Sequence, residues 1–202
     1  MKNVILTIGR EYGSGGKYIG QRVATKLNIP FYDKELINKA HESSKYNYSK
    51  INEHDEIKRN SSLRPVDYIQ TGDYNEIFSD DIYQSLINKT ILEISSSSCV
   101  ILGRNSNNIL KGKPNVINIF IYSNNMDFKI TRKMNIEKMS YEETRKKLKT
   151  IDNQRKKYYE SLNKNKTWGS IREYDYCIDS SILGIDKTID LIVDIYNSYK
   201  NQ

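Results

Sequence analysis

The feature that most constrains the fold is a glycine-rich turn between a strand-like and a helix-like segment near the start of the chain. Residues 4–8 form an apolar run of strand length, and the turn Gly13-Ser14-Gly15-Gly16 follows it. The next apolar residues recur at every fourth position, which indicates a helix; they are Ile19, Val23 and Leu27. In such a unit, glycines let backbone N–H groups converge on an anion at the helix N-terminus. The turn therefore predicts a phosphate-binding loop, with a purely structural glycine turn as the alternative.

The turn matches the common phosphate-loop pattern G-x-x-x-x-G-K-[ST] at its centre and differs from it at both ends. Counted back from Gly16 and Lys17, the first glycine of the pattern falls on Glu11, and the hydroxyl residue falls on Tyr18. The lysine of such a loop reaches the outer phosphates of a nucleotide, so Lys17 is a candidate catalytic residue. We expect one continuous run to bind the nucleotide phosphates: Gly13, Ser14, Gly15, Gly16, Lys17 and Tyr18.

The rest of the chain alternates strand-like runs with helix-like segments. Strands are expected near residues 30–33, 99–102, 116–122 and 176–178, and helices near 35–45, 82–94 and from 185 onward. Strands separated by helices indicate a parallel sheet that is covered on both faces. We therefore predict an α/β protein with a parallel five-stranded sheet, folded as a single domain over residues 1–202. The polar, weakly patterned residues 46–78 are expected to form a partly helical insertion.

Composition excludes several classes of protein. The 202 residues include only 3 prolines, 10 glycines and 2 cysteines, which excludes collagen-like, disordered and disulfide-stapled chains. Two isolated cysteines also give no pattern for a zinc site. No apolar stretch approaches the ~20 residues of a membrane-spanning helix, and the first residues do not resemble a signal peptide. We therefore expect no membrane contact and a cytoplasmic location.

The positive charge of the chain is concentrated in one segment. The formal net charge is +7; residues 129–166 hold 13 basic and 5 acidic residues, whereas the rest of the chain holds 19 basic and 20 acidic ones. Such a segment favours a polyanionic partner, either a nucleic acid or the phosphates of a nucleotide. A solvated helix face is the alternative interpretation.

Short motifs in a fixed order extend over nearly the whole chain: GREYGSGG (9–16), IPFYDKELI (29–37), VILGR (100–104), DNQRKKYY (152–159), Trp168 and YDYCIDSS (174–181). Through them the chain resembles the cytidylate kinase-like proteins of the P-loop nucleoside monophosphate kinase group. The resemblance implies a three-layer P-loop NTPase fold with an acceptor-binding insertion, ATP as the donor and a nucleotide-like acceptor. It also implies a magnesium-holding hydroxyl and an acceptor-positioning aspartate, at positions where this chain has Ile19 and Asn105.

Within the basic segment, residues spaced three and four apart mark one face of a long helix: Tyr141, Thr144, Leu148, Ile151, Arg155, Tyr158 and Leu162. Arg155 is the charged member of this mostly apolar face, and Asp152 stands three residues before it. The two side chains can pair internally; alternatively, Arg155 can aim at a phosphate in transfer and Asp152 can help to bind the acceptor. We interpret residues 129–168 as a basic lid and favour Arg155 as a catalytic arginine.

Three more residues are candidates for the site. Asp33 ends the predicted second strand, at the edge where α/β sheets bind ligands; it can hold magnesium through water, act on the acceptor, or cap the next helix. Arg104 follows the third strand at the same edge and is expected to bind the phosphate of the acceptor. Arg132 is a further candidate cation for phosphoryl transfer, with a solvated surface position as the alternative.

Three functions stay open on the sequence alone. The first is ATP-dependent phosphoryl transfer, with Mg²⁺, to a small phosphate-bearing acceptor such as a CMP-like nucleoside monophosphate. The second is a non-catalytic ATP sensor with a degenerate loop, which Glu11 and the absent hydroxyl motivate. The third is a nucleic-acid-binding module that uses the basic segment, and it ranks last because no known reader motif accompanies the charge. The metal ligands and the oligomeric state are left open.

Overall fold

In the computed structural model, residues 3–33 and 80–201 are described. The chain divides into two compact units, Met1–Asp33 with Leu92–Gln202, and Lys34–Ile91. Of the second unit, only the helical residues from Asp80 to Ile91 are described. The predicted insertion at 46–78 and the predicted helix near 35–45 lie outside the described residues, and the single domain over 1–202 stays a prediction.

The described elements alternate as the sequence predicts. The strands are β1 (Ile5–Arg10), β2 (Phe31–Tyr32), β3 (Cys99–Leu102), β4 (Val116–Tyr122) and β5 (Tyr176–Asp179). The helices are α1 (Gly16–Leu27), α2 (Asp80–Ile94), α3 (Ser106–Ile109), α4 (Met126–Glu137), α5 (Tyr141–Leu162), α6 (Ser180–Leu183) and α7 (Ile185–Lys200). All five predicted strands are present, while the one-turn helices α3 and α6 were not expected.

The five strands form one parallel sheet in the order β2-β3-β1-β4-β5. Because β1 is central, it pairs with β3 on one side and β4 on the other, with Ile5 opposite Cys99 and Val116. The carboxyl ends of parallel strands meet at one edge, so the segments that follow β1, β2 and β3 come together there. This edge is where the sequence predicts the site.

The parallel five-stranded sheet and its helices confirm the predicted α/β fold class. On one face, α1 and α7 bury apolar residues such as Ile19, Val23 and Ile192 against the strands. On the other face, the ring of Phe120 contacts Trp168 edge-on, at 5.2 Å between ring centroids, and Tyr174 at 4.9 Å. Within the described residues, no helix is both long enough and apolar enough to cross a membrane.

The basic segment folds as α4 and α5. Helix α5 begins with a capping box, in which the Ser140 hydroxyl accepts from the Glu143 N–H and the Glu143 carboxylate accepts from the Ser140 N–H. Its predicted inward face is confirmed at Thr144 and Leu148, which are buried, whereas Tyr141 is exposed because it is the first residue of the helix.

Candidate active site

The glycine-rich turn connects β1 to α1 in a conformation that two of its glycines make possible. Gly13 and Gly15 have φ angles of +87° and +85°, in the left-handed region that side chains rarely adopt. A Cβ on Gly13 would lie 2.8 Å from the Cβ of Lys129, and a Cβ on Gly15 would lie 2.5 Å from Ile185 Cδ1. The loop therefore depends on glycine at both positions.

The hydroxyl groups of two serines fix the loop through main-chain carbonyl oxygens. Ser14 is fully buried, and its Oγ lies 2.9 Å from the carbonyl oxygen of Glu11 and 3.0 Å from that of Ile121. Ser180 Oγ donates to the carbonyl oxygen of Ser14 at 2.6 Å. Because the Ser14 side chain is used by the loop itself, its backbone N–H is the group left to contact a phosphate.

The N-terminus of α1 opens directly from the loop and is positively charged. Within the described chain, Gly15 gives this helix no side-chain cap, and its first turn holds no acidic residue. Lys17 lies in that first turn with a side chain that is 54% exposed. A helix N-terminus with converging N–H groups and a lysine attracts anions.

Lys17 contacts Asp33 across the edge of the sheet. Its Nζ lies 2.7 Å from Asp33 Oδ2. Burial raises the pKa of Asp33, but the hydrogen bond from Lys17 and the charges of Arg10 and Arg104 outweigh burial and hold the pKa below its ordinary value. One carboxylate thus lies among three cations, and the group keeps a net positive charge that suits a phosphate-bearing ligand.

Arg10 is a member of this group that the sequence analysis did not single out. A Cβ on Gly103 would lie 2.1 Å from Arg10 Nη1, and a Cβ on Gly16 would lie 2.5 Å from Arg10 Cβ. The guanidinium therefore rests on Gly103, directly beside Arg104. The signal available in the sequence was the basic residue that ends β1 and enters the loop.

The segment after β3 has an unusual backbone. Gly103, Arg104 and Asn105 have consecutive φ angles of +72°, +57° and +59°. For residues other than glycine such angles cost free energy, and they cluster at functional sites. The turn places Arg104 beside Arg10 and Asp33, as the prediction of an acceptor-binding arginine requires.

Glu11, which departs from the phosphate-loop pattern, is paired with a lysine of α4. Its Oε2 accepts from Lys129 Nζ at 2.9 Å and from the Ser123 N–H at 3.1 Å. Lys129 is 7% exposed, so this pair is largely shielded from water. The negative charge of Glu11 is therefore neutralised before it can repel a phosphate.

Arg155 and Asp152 reach the loop together from α5. Arg155 Nη1 donates to the main-chain oxygen of Arg10 at 3.1 Å and lies 3.5 Å from Asp152 Oδ1. Asp152 Oδ1 accepts from the Tyr12 N–H at 2.7 Å. Arg155 lies near Asp152, as the internal pair requires, and it also lies at the loop; its contact with a phosphate stays a prediction.

Arg132 lies on the other side of the loop. Its Nε is 3.5 Å from the place that a Cβ on Gly15 would occupy, and burial lowers the pKa of its guanidinium. The side chain of Arg132 is partly buried against the loop rather than fully exposed, and its role in phosphoryl transfer stays a prediction. Tyr18 is 46% exposed at the start of α1, where its ring is accessible to a ligand.

A small cavity of about 50 Å³ lies against the cation group, between the end of β1, the turn after β3 and α5. Arg10, Arg104 and Arg155 line it, and none of the described lining residues is a carboxylate. The rest of its lining is polar and aromatic, and its rings include Tyr159 and Trp168. The walls combine cations for a phosphate with flat rings for a planar group.

A glycine loop between the central strand and its helix, followed by a lysine, defines a phosphate-binding α/β protein of the P-loop type. A model of the cytidylate kinase-like family matches residues 5–182. The chain belongs to that family. This membership in a kinase-like family supports phosphotransfer to a small substrate.

Solved structures agree with this fold. The chain is similar to an uncharacterized protein from Eubacterium ventriosum ATCC 27560, at 27% identity and a TM-score of 0.72, with 97% of this chain and 99% of that chain covered. It is also similar to shikimate kinase from Bacteroides thetaiotaomicron, at 12% identity and a TM-score of 0.55, with 97% and 99% covered. The second likeness shows the shared fold alone. No curated protein matches the chain.

Proposed function

We propose that the protein transfers a phosphoryl group from ATP to a small acceptor that itself bears a phosphate, and that the acceptor is a nucleoside monophosphate. The observation that carries the proposal is the group formed by Lys17, Asp33, Arg10 and Arg104 beside the glycine loop. It supports two anionic ligands that meet at one edge of the sheet, one on the loop and one on the arginines after β1 and β3.

The donor side consists of the loop and α4. Backbone N–H groups of the loop and the N-terminus of α1 would bind the donor phosphates, with Lys17 at the outer ones. Arg132, half-buried against Gly15, adds a fixed cation on the opposite side. A cation held in place before the reaction stabilises the charge of the transferred group without reorganisation.

The acceptor side consists of the small cavity and its arginines. Arg10 and Arg104 would bind the acceptor phosphate, and the ionised Asp33 would orient the acceptor. Arg155 and Asp152 border both sides, since they contact the loop and Arg155 also lines the cavity. Arg155 would move from the Arg10 carbonyl oxygen to the transferred phosphoryl group.

Magnesium fits this donor set in one particular way. Mg²⁺ takes oxygen ligands, keeps several waters, and in kinases is held by one or two carboxylates together with substrate phosphates. Asp33 is a buried carboxylate beside Lys17, and no group of three or more metal-ligating side chains occurs among the described residues. Asp33 would therefore hold the ion together with the phosphates, and the ion would neutralise charge on the phosphoryl oxygens.

The test is a coupled assay with ATP, MgCl₂ and a panel of nucleoside monophosphates, run beside equilibrium ATP binding. Turnover of one monophosphate with ADP release is the expected result. Tight ATP binding without turnover of any acceptor would favour the non-catalytic sensor, for which the buried Ile19 in place of a hydroxyl is the motivating residue. Salt-dependent binding to DNA or RNA, without ATP binding, would favour the nucleic-acid module instead. The cytoplasmic location stays a prediction.

A further inference from the structure

Tyr12, in the middle of the loop, is held at both ends by the basic segment. Its backbone N–H donates to Asp152 Oδ1 of α5 at 2.7 Å. Its hydroxyl donates to Glu137 Oε1, the last residue of α4, at 2.5 Å. Its ring lies under Lys133 Nζ, 4.1 Å from the ring centroid, within the range of a cation–π contact. One loop residue therefore contacts both helices.

Glu137 is the residue through which these contacts join. Besides the Tyr12 hydroxyl, its carboxylate accepts from Lys133 Nζ at 2.6 Å and from Lys147 Nζ of α5 at 2.8 Å. Partial burial raises the pKa of Glu137, and the hydrogen bonds from Lys133, Lys147 and Tyr12 lower it to about 2. The carboxylate is therefore ionised at neutral pH and binds α4, α5 and the loop at one point.

A shift of the helices cannot leave the loop unchanged while these contacts persist. Tyr12 lies between Glu11, which α4 holds through Lys129, and Gly13, whose backbone packs against Lys129. The two arginines that face the loop, Arg132 of α4 and Arg155 of α5, lie on the same helices. Their placement relative to the loop is therefore linked to Tyr12.

We propose that Tyr12 and Glu137 are positioning residues that couple the basic helices α4 and α5 to the phosphate-binding loop, so that Arg132 and Arg155 are set correctly for transfer. The inference rests on the proposed function, because it concerns the same loop. Neither residue needs to touch the nucleotide or the acceptor. The loop keeps its own glycines, its N–H groups and Lys17 when the Tyr12–Glu137 contact is lost.

A double-mutant cycle tests this coupling with Tyr12→Phe, Glu137→Gln and the double variant. Each single change is expected to lower kcat about tenfold, the size of a hydrogen bond to a charged group, while the Kd for ATP changes less than about threefold. The double variant should be no slower than Glu137→Gln alone, because Tyr12→Phe then removes a contact that the loss of the carboxylate charge has already weakened. Matched controls are Tyr141→Phe and Glu142→Gln, exposed residues at the start of α5, which should leave kcat unchanged.

Amide hydrogen exchange without nucleotide separates this inference from the proposed function. Tyr12→Phe should accelerate exchange in the loop, residues 9–16, and in α5 together, whether or not the protein turns over any acceptor. Faster exchange in only one of these segments, or additive losses in the cycle, would overturn the coupling. If Glu137→Gln does not fold, Tyr12→Phe alone tests the coupling, through a lowered kcat with a nearly unchanged Kd for ATP and through its exchange pattern.

Discussion

Arg155 Nη1 donates to the main-chain oxygen of Arg10 over 3.1 Å, so the middle of α5 is attached to the residue where β1 becomes the loop. The same guanidinium lies 5.8 Å from the centroid of the Tyr12 ring. A neutral carbonyl oxygen is a weaker partner for an arginine than a phosphate is, because a phosphate is oppositely charged and can accept two parallel hydrogen bonds from the guanidinium. Arg155 can therefore exchange the carbonyl oxygen for a phosphoryl group at little cost.

Arg155→Ala should lower kcat and kcat/KM together, by about 10³-fold, because an arginine at the transferred group acts mainly in the transition state. The melting temperature should change little, since the loss of the Arg155 side chain leaves Asp152 still bonded to the Tyr12 N–H. Steady-state kinetics with ATP, together with thermal denaturation, measure both effects. Lys156→Ala, an exposed neighbour on α5, is the control.

The opposite pattern would contradict this role. If Arg155 serves only as a structural partner of Asp152, its removal should cost stability and preserve activity below the melting transition.

Gly103→Ala should weaken acceptor binding by displacing Arg10. The new Cβ would lie 2.1 Å from Arg10 Nη1, and the end of the long side chain would have to move. Gly112→Ala is the matched control, because Gly112 also has a positive φ, of +82°, but has nothing within 4 Å of its Cβ position. Both variants should lose about 1–2 kcal/mol of stability from backbone strain. Only Gly103→Ala should raise the KM of the acceptor, by about tenfold; equal kinetics for the two would refute the role of Arg10.

Much of this fold was predictable, because the local pattern of apolar residues favours the same strands and helices that packing in the sheet requires. The apolar runs of β1, β3 and β4 are strand-sized and buried, and the spacing of α5 from Tyr141 to Leu162 fits its helix from end to end. The loop was predictable from its glycines. The position of Arg104 and Asp33 at the carboxyl edge of the sheet was predictable because each comes just after a strand.

The partners within the site were not predictable, because they join residues far apart in the chain. In the sequence, Glu11 is a departure from the phosphate-loop pattern. Its partner Lys129 lies 118 residues further along the chain, so no local pattern indicates the contact. Arg10 lay inside a recognised motif, yet only its packing on Gly103 shows which way it points. The short helix α3 has no periodic signal, since one turn of Ser106–Ile109 is too brief to show a pattern.

Lys129→Met should destabilise the protein by about 3 kcal/mol, because it leaves the carboxylate of Glu11 without its largely buried partner. Lys26→Met is the control: Lys26 pairs with Asp190 at 2.6 Å, but both side chains are about half exposed or more, at 47% and 60%. An exposed pair contributes roughly 0–1 kcal/mol. Urea unfolding of the two variants measures the difference, and a cost for Lys129→Met as small as for Lys26→Met would show that the pair does not hold the loop.

Asp152→Asn should change how stability depends on pH. Burial raises the pKa of Asp152 to about 6 in the folded protein, despite the opposing Tyr12 N–H and Arg155 charge, whereas an unfolded aspartate titrates near about 4. Between these pKa values the folded state binds more protons than the unfolded state. The contribution of Asp152 to the free energy of unfolding therefore falls as pH rises from about 4 to 6, and it does not fall further above about pH 6. The variant lacks this loss while its amide oxygen can still accept from Tyr12. Urea unfolding from pH 4 to 8 should show that the stability of the variant rises relative to that of the wild type up to pH 6. Stabilities that change in parallel with pH would contradict the raised pKa of a buried Asp152 carboxyl.

The central claim is that the loop and Lys17 bind the phosphates of a nucleotide, and equilibrium ATP binding to Lys17→Ala tests it most directly. Lys17 is 54% exposed, and the charges of Arg10 and Arg104 still act on the buried Asp33 after its removal, so the melting temperature of the free protein should change little. Calorimetric titration with ATP and MgCl₂ should show tight binding by the wild type and by Lys26→Ala, and a loss of at least about 100-fold in Lys17→Ala, as expected when a charged partner of a phosphate is removed. An unfolded Lys17→Ala, or a folded one that binds ATP as tightly as the wild type, would contradict the account.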